Sequence, residues 1–145
     1  MRASLTLRRT LAVTGACLAI AACTHSVPPE VSRQHTQWQS NGIKNYDFVY
    51  YRDSMVGRCT LLVHVRNGKV ASAAIQRRCP WPLDPHAAPT IDAVFSDTKA
   101  AYRRNDDVVS NFDRAYGYPT AISVDPSKHV IDDEWNFGIS SFTPM

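Results

Sequence analysis

The residues that could do chemistry are densest in the acidic run Asp132-Asp133-Glu134, close to the C-terminus. Carboxylates are ligands for hard cations such as Ca²⁺, which takes roughly six to eight oxygen ligands. Neighbouring side chains on an extended segment alternate between two faces, so these three carboxylates cannot all point at one ion. The run favours a strand entrance whose carboxylates pair with Lys or Arg, and we expect no metal ion there.

The other candidates for catalysis have no catalytic spacing. The five histidines form no His-x-x-x-His or His-Glu-x-x-His pattern, and no Gly-x-Ser-x-Gly, P-loop or Gly-x-Gly-x-x-Gly motif occurs. Cys59 and His64 could form a nucleophile pair, but positions five apart on one strand point to opposite faces. We therefore expect no catalytic residue, no cofactor and no enzymatic activity.

The turn Tyr116-Gly117-Tyr118-Pro119 is a candidate contact surface, because turns often carry function and tyrosine binds well. The alternative is local geometry, with Gly117 at positive φ and Pro119 fixing the returning chain, and turn chemistry favours it. The candidate contacts for an envelope protein partner are Tyr116, Tyr118, Asp132, Asp133 and Glu134.

The N-terminus has the pattern of a secretory leader. Three arginines precede a short apolar stretch, Leu11 to Ile20, which is too short to span a bilayer as a mature helix. Ile20-Ala21-Ala22-Cys23 then resembles the bacterial lipobox, in which the cysteine carries the lipid. The alternative is an ordinary secretory signal with a chance cysteine. We expect a lipoprotein signal peptide over 1–22 and lipidation, including palmitate, at Cys23.

Acyl chains on Cys23 would anchor the mature protein to a membrane, since several chains bind far more stably than one. Residues 23–30 are then the lipidated N-terminus and a tether, which Pro28-Pro29 would stiffen. Thr24, where an Asp would favour inner-membrane retention, favours the outer membrane facing the periplasm if the cell is Gram-negative. The expected location is the bacterial cell envelope.

Charge excludes a nucleic-acid partner. The chain has sixteen Lys and Arg against thirteen Asp and Glu, and three of its arginines lie in the leader. The mature domain is therefore formally neutral and has no basic footprint for nucleic acid.

Cys59 and Cys79 are expected to form a disulfide, because export places them in an oxidising compartment and they have one intramolecular pairing. A two-residue turn at Asn67-Gly68 places Cys59 opposite about Gln76, three residues before Cys79. A bend back of the chain could bring the two cysteines within bonding range. The competing interpretation is two unpaired thiols.

Hydrophobic periodicity predicts one α+β domain over 31–145. We expect an antiparallel sheet of about six strands in two meanders, with two helices packed on one face. The predicted helices are Val31–Gln39 and one opening at Pro89-Thr90 and stopping at Asn105; the predicted strands are Tyr46–Asp53, Arg58–Arg66, Val70–Arg77, Val108–Arg114, Thr120–Asp125 and Glu134–Phe142.

Several short patterns occur together along this domain. They are Trp38, Tyr46, Val65-Arg-Asn-Gly-Lys-Val70, Thr90-Ile-Asp92, Tyr116-Gly-Tyr-Pro-Thr120, Asp125, Asp132-Asp-Glu134 and Ser141-Phe-Thr-Pro144. With them the chain resembles the domain-of-unknown-function 6174 family, small secreted bacterial proteins that are often lipoproteins. The resemblance implies a single envelope domain without an assigned activity, and it supplies no catalytic residues.

Two functions fit these observations. The favoured one is a lipid-anchored, non-catalytic binding or assembly module of the envelope. An exposed apolar sheet face would favour this function. The alternative is a periplasmic enzyme that acts on cell-wall or envelope material, with Asp132–Glu134 at its centre. A deep pocket at these acids with a raised carboxylate pKa would favour the enzyme.

Overall fold

The computed structural model describes residues 26–78, 83–105 and 107–145. The helices are α1 (Pro29–Ser40), α2 (Ile91–Arg104) and a short 3₁₀ turn, Pro85–Ala87. The strands are β1 (Tyr46–Ser54), β2 (Gly57–Arg66), β3 (Lys69–Arg77), β4 (Asp107–Phe112), β5 (Pro119–Asp125) and β6 (Trp135–Pro144). The predicted signal peptide, Cys23 and Cys79 lie outside the described residues. Among the described residues, no helix is long and apolar enough to cross a membrane.

The six strands form one antiparallel sheet in the order β3-β2-β1-β6-β5-β4. The meanders β1-β2-β3 and β4-β5-β6 join where the first strand pairs with the last, from Tyr46 opposite Pro144 to Ser54 opposite Trp135. The predicted α+β class is confirmed. The pairing also explains why β6 continues to Pro144, past the predicted end at Phe142, because β1 offers partners along its whole length.

One hydrophobic core joins both helices to one face of the sheet. Alternate residues of β1 and β2 point into it, as strand geometry requires. Helix α2 contributes residues three or four apart, which is the spacing of a helix that buries one stripe. The buried side chains include Val31, Trp38, Tyr46, Phe48, Leu61, Val63, Ile91, Val94, Phe95 and Phe137.

Helix α2 begins where the sequence predicts it. The Thr90 hydroxyl accepts a hydrogen bond from the Ala93 amide at 3.2 Å, and Asp92 places negative charge in the first turn. Helix α1 has no side-chain cap and begins instead at Pro29, whose fixed φ suits a first helical position. Consequently Pro29 and Glu30, predicted to end the tether, form the first residues of α1.

The Tyr116–Pro119 turn fastens β4 and β5 to α1. The Gln37 amide donates to the Ala115 carbonyl at 3.2 Å, and the Asn41 amide donates to the Tyr116 carbonyl at 3.1 Å. Gly117 adopts φ +82°, and a Cβ there would lie 2.8 Å from the Gln34 carbonyl oxygen. Only glycine lets this turn approach the α1 backbone so closely.

Gly117→Ala should therefore lower the free energy of unfolding by about 3 kcal/mol, because it adds left-handed strain and a backbone clash. Gly42→Ala is the matched control, since Gly42 also has positive φ but a Cβ added there would meet nothing within 4 Å. That variant should lose about 1 kcal/mol, from strain alone. Urea unfolding measures both, and equal losses would contradict the role of the close approach.

Candidate functional site

Two cavities of about 330 Å³ and 260 Å³ lie between α2 and the sheet and share Tyr50, Arg52 and Asp97. Because they share these residues, we treat them as one site, the α2 groove. Arg104 and Trp135 complete its polar and aromatic wall at one end. The groove combines charged groups, a phenol and an indole within one concave surface, which is the usual character of a small-ligand site.

The groove follows from the geometry of three elements. Tyr50 and Arg52 are two apart on β1 and so share a face, and Arg52 lies opposite Phe137 of β6. On α2, Asp97 and Arg104 are seven residues apart, which places them on one side of the helix. The small side chains Ala100 and Ala101 line the cavity between them and leave it open.

Tyr50 is the most deeply placed polar side chain of the groove, with 8% of its surface exposed. Its hydroxyl makes no hydrogen bond to any part of the chain that the structure describes. Burial, helped by the negative charge of Asp97, raises the pKa of Tyr50 to about 12. The phenol is therefore neutral near pH 7 and presents an O–H donor to the groove.

Asp97 stands at the rim of the same groove. Burial raises the pKa of its carboxyl, and the nearby Arg52 guanidinium opposes this rise without cancelling it. Within 26–78, 83–105 and 107–145, Asp97 forms no ion pair and no hydrogen bond through its side chain. Asp97 is exposed at this rim, and its carboxylate is open to a cation or a hydrogen-bond donor.

Arg52 and Arg104 supply the positive charge. The Arg52 guanidinium lies over the Trp135 ring, 4.7 Å from the centroid, and Trp135 stacks on Phe137 with 5.2 Å between centroids. This packing fixes the guanidinium plane, as cation–π contacts do. Neither arginine forms an ion pair with the described residues, so the groove carries two unpaired cations and one unpaired carboxylate.

A second polar cluster lies between α1 and the first turn of α2. His35 Nε2 donates to Asp92 Oδ1 at 2.9 Å, and Lys99 Nζ donates to His35 Nδ1 at 2.9 Å. Trp38 Nε1 donates to Asp92 Oδ2 at 3.4 Å. Burial alone would raise the pKa of Asp92, but hydrogen bonds from His35, Trp38 and Gln39 hold it below its usual range. This cluster fastens α1 to α2.

The predicted acidic site lies apart from the α2 groove. Asp132-Asp133-Glu134 lies in the loop before β6, with Asp132 at φ +72°, and none of the three lines the groove. Across the described residues, no three His, Cys, Asp or Glu side chains are grouped as a metal site requires.

The predicted tyrosine contacts pack inward. Tyr116 and Tyr118 are half-buried, and their rings lie 5.1 Å and 4.9 Å from that of Phe142. Tyr116 and Tyr118 thus help to pack their turn against α1. A role in contacting a partner stays a prediction for Tyr116, Tyr118 and the three acids.

Cys59 and His64 lie on opposite faces of β2, as the spacing predicts. Cys59 is buried with 1% of its surface exposed, whereas His64 Nδ1 contacts Asp47 Oδ1 at 2.8 Å on the face away from the helices. Arg66 Nη1 also donates to Asp47, at 2.8 Å. This network makes that sheet face polar around Asp47.

The chain matches one known protein family over most of its length. The model of a family of unknown function, DUF6174, matches residues 30–144. The chain belongs to this family. The match extends from the first turn of α1 to the end of β6, so this DUF6174 domain comprises both helices and the whole sheet. No curated protein matches the chain.

Sequence reasoning missed the site of this DUF6174 chain, although two signals were present. Tyr50 and Arg52 share a face of a predicted strand, and Asp97 and Arg104 share a face of the clearest predicted helix. That these two faces meet is a property of the packed fold. No local pattern shows it, because β1 and α2 are far apart in sequence.

The two aspartates of α2 should respond oppositely to substitution. Asp97 has a raised pKa in the folded state. Its ionised form therefore destabilises the fold at pH values above about 4, which is the pKa of an aspartate in the unfolded chain. Asp97→Asn should therefore raise Tm at pH 7 by about 2 °C. Asp92 has a lowered pKa, so its ionised form stabilises the fold at pH 7, and Asp92→Asn should lower Tm by about 2 °C.

Thermal unfolding at pH 7 and pH 2 measures both differences. Both should shrink as the pH falls, because protonation abolishes the charge of each aspartate in the folded and unfolded states. Shifts of the same sign at pH 7 would contradict the assignment of the two environments.

Proposed function

We propose that this protein is a lipid-anchored protein of the bacterial cell envelope whose domain binds a small ligand in the α2 groove without transforming it. The observation that carries the proposal is Tyr50, which is 8% exposed, whose hydroxyl has no partner among the described residues, and which lines both cavities of the groove. The hydroxyl faces the groove as a donor with no partner in the described chain. A ligand that accepts from this hydroxyl would supply the missing bond.

The composition of the groove supports binding over catalysis. Its described lining includes no Ser, Cys, His or Lys that could serve as nucleophile or as a base near neutral pH. Two carboxylates, Asp84 and Asp97, line the smaller cavity, but Asp84 accepts from the His86 amide at 2.9 Å and caps the 3₁₀ turn. We therefore favour a non-catalytic module over an enzyme.

The leader supports the location. The lipobox-like motif Ile20-Ala21-Ala22-Cys23 predicts that Cys23 is acylated, and α1 begins at Pro29. The short stretch between them reaches at most ~20 Å when extended. The domain would therefore stay close to the membrane surface, in the periplasm if the cell is Gram-negative, and bind ligands or partners present in the envelope.

Strand register supports the proposed disulfide between Cys59 and Cys79. Two irregularities in the β2–β3 pairing shift the register, so that Thr60 lies opposite Arg77. The predicted placement of Cys59 opposite Gln76 is therefore wrong, because a regular hairpin cannot anticipate these shifts. The observed register therefore places the start of β2 opposite residues nearer in sequence to Cys79 than the regular hairpin predicts.

One mass measurement tests both modifications. We expect protein purified from the envelope to begin at Cys23 with added acyl mass, and to take up no alkylating reagent until it is reduced. After reduction, two thiols should react. Closure of a loop of this size stabilises by about 3 kcal/mol in the chain-entropy model, so the reduced protein should also unfold at lower temperature.

The control for anchoring is Cys23→Ala, which should leave the membrane fraction. Unchanged processing and fractionation of this variant would contradict lipidation. Two thiols that react before reduction would contradict the disulfide.

Binding in the α2 groove is tested with a protein-free, low-molecular-weight extract of the envelope. At about tenfold excess over its Kd, a ligand should raise Tm by about 4 °C. The rise should disappear in the double variant Tyr50→Phe/Arg52→Gln, which loses two groups of the groove. An extract that leaves the wild-type Tm unchanged would contradict the proposed function.

Tyr51→Phe is the matched control for this test. Tyr51 neighbours Tyr50 but points to the opposite face, where its hydroxyl donates to the Thr120 carbonyl at 3.1 Å. Tyr51→Phe should respond to the extract as the wild type does. An equal rise in the Tyr50→Phe/Arg52→Gln variant would place the binding site elsewhere.

A further inference from the structure

We propose that the α2 groove selects a small zwitterion, a free α-amino acid or a short peptide, with its carboxylate at Arg52 and Tyr50 and its ammonium at Asp97. The inference rests on the proposed function and names the ligand class of the same site. It follows from the charges that share the groove, their fixed positions and the size of the space.

Three charged side chains line the groove without an ion pair among the described residues, although neighbouring charges of the sheet are paired. Arg58 Nη2 lies 2.8 Å from Asp53 Oδ2, and Arg66 Nη1 lies 2.8 Å from Asp47 Oδ1. Arg52, Arg104 and Asp97 line one cavity, yet none forms such a pair within the described residues. Charges of both signs held apart in one groove match a ligand that carries both charges.

The carboxylate end is assigned to Arg52 and Tyr50. Stacking on Trp135 directs one face of the Arg52 guanidinium to the indole, and this leaves its N–H edges for a carboxylate, the partner that guanidinium binds in bidentate fashion. The Tyr50 hydroxyl, protonated near neutral pH, can donate to the same carboxylate. Arg104, in the same cavity, adds positive potential at this end.

The ammonium end is assigned to Asp97. Asp97 is exposed at the rim of the groove and has no partner among the described residues, so its carboxylate is open to pair with a bound ammonium. Asp97 also repels a ligand that carries negative charge alone. The groove should therefore discriminate against simple carboxylates and phosphates, although it contains two arginines.

The available space limits the ligand to a small one. The cavity of about 330 Å³ is at the low end of the ~300–1,000 Å³ usual for ligand pockets, and that of about 260 Å³ is just below it. Ala100 and Ala101 widen the first cavity without adding a polar group. A ligand of one or two amino-acid residues fits this space, and a long polymer would extend out of it.

The experiment is calorimetric titration of the mature full chain with four probes: alanine, alanyl-alanine, N-acetyl-alanyl-alanine and alanyl-alanine amide. We expect at least one of the first two to bind, and their comparison distinguishes a free amino acid from a peptide. Acetylation removes the ammonium and amidation removes the carboxylate. Each should weaken alanyl-alanine binding at least tenfold if the peptide is the ligand.

Two variants connect each end of the ligand to its residue. In Asp97→Asn, which should be at least as stable as the wild type, the preference for alanyl-alanine over its N-acetyl form should disappear. In Arg52→Gln, the preference for alanyl-alanine over alanyl-alanine amide should disappear. If alanine is the ligand instead, N-acetyl-alanine and alanine amide replace the peptide probes and the same two losses are expected.

The outcomes separate the two proposals. Equal binding of free and N-acetylated probes would overturn the zwitterion and indicate a simple anion site. If the envelope extract stabilises the protein through Tyr50 and Arg52 but alanine and alanyl-alanine do not bind, the ligand class is wrong and the proposed function survives. If neither the extract nor any probe binds, both fail.

Discussion

The placement of both helices on the sheet depends on the buried side chain of Tyr46. Only 2% of its surface is exposed, and its hydroxyl accepts a hydrogen bond from the Ile91 amide at 3.3 Å, at the start of α2. Its ring meets Trp38 of α1 edge-on at 5.3 Å and lies 5.7 Å from Phe142 of β6. Burial raises the pKa of Tyr46 to about 12, so the phenol stays neutral. One residue of β1 thus contacts both helices and the last strand.

The two ends of helix α2 make different contacts. Its first turn is held to α1 through Asp92, which accepts from His35 and Trp38. Further along the helix, Asp97 and Arg104 border an open groove in which neither forms an ion pair with the described residues. The firmly bonded end fixes the helix, and the other end presents charged groups that the fold does not neutralise.

Local sequence signals predicted much of the fold. Asn67 and Gly68 adopt φ +53° and +73°, the positive values that a type I′ hairpin requires, and Thr90 caps α2 as its position suggests. The pairing of β1 with β6 and the shifts between β2 and β3 were not predictable, because they depend on packing between distant segments. The site was missed for the same reason: Asp97 and Arg52 meet only after α2 has packed on the sheet.

The direct test of the α2 groove as the binding site is a ¹H–¹⁵N NMR titration of the mature chain with the low-molecular-weight envelope extract. The Arg52 Nε–H and Trp135 Nε1–H signals report on the groove, and Trp38 Nε1–H, bonded to Asp92, is the internal reference. We predict that the first two signals shift with added extract and that the Trp38 signal does not. Shifts confined to Trp38, or to Tyr116 and Tyr118, would contradict the account.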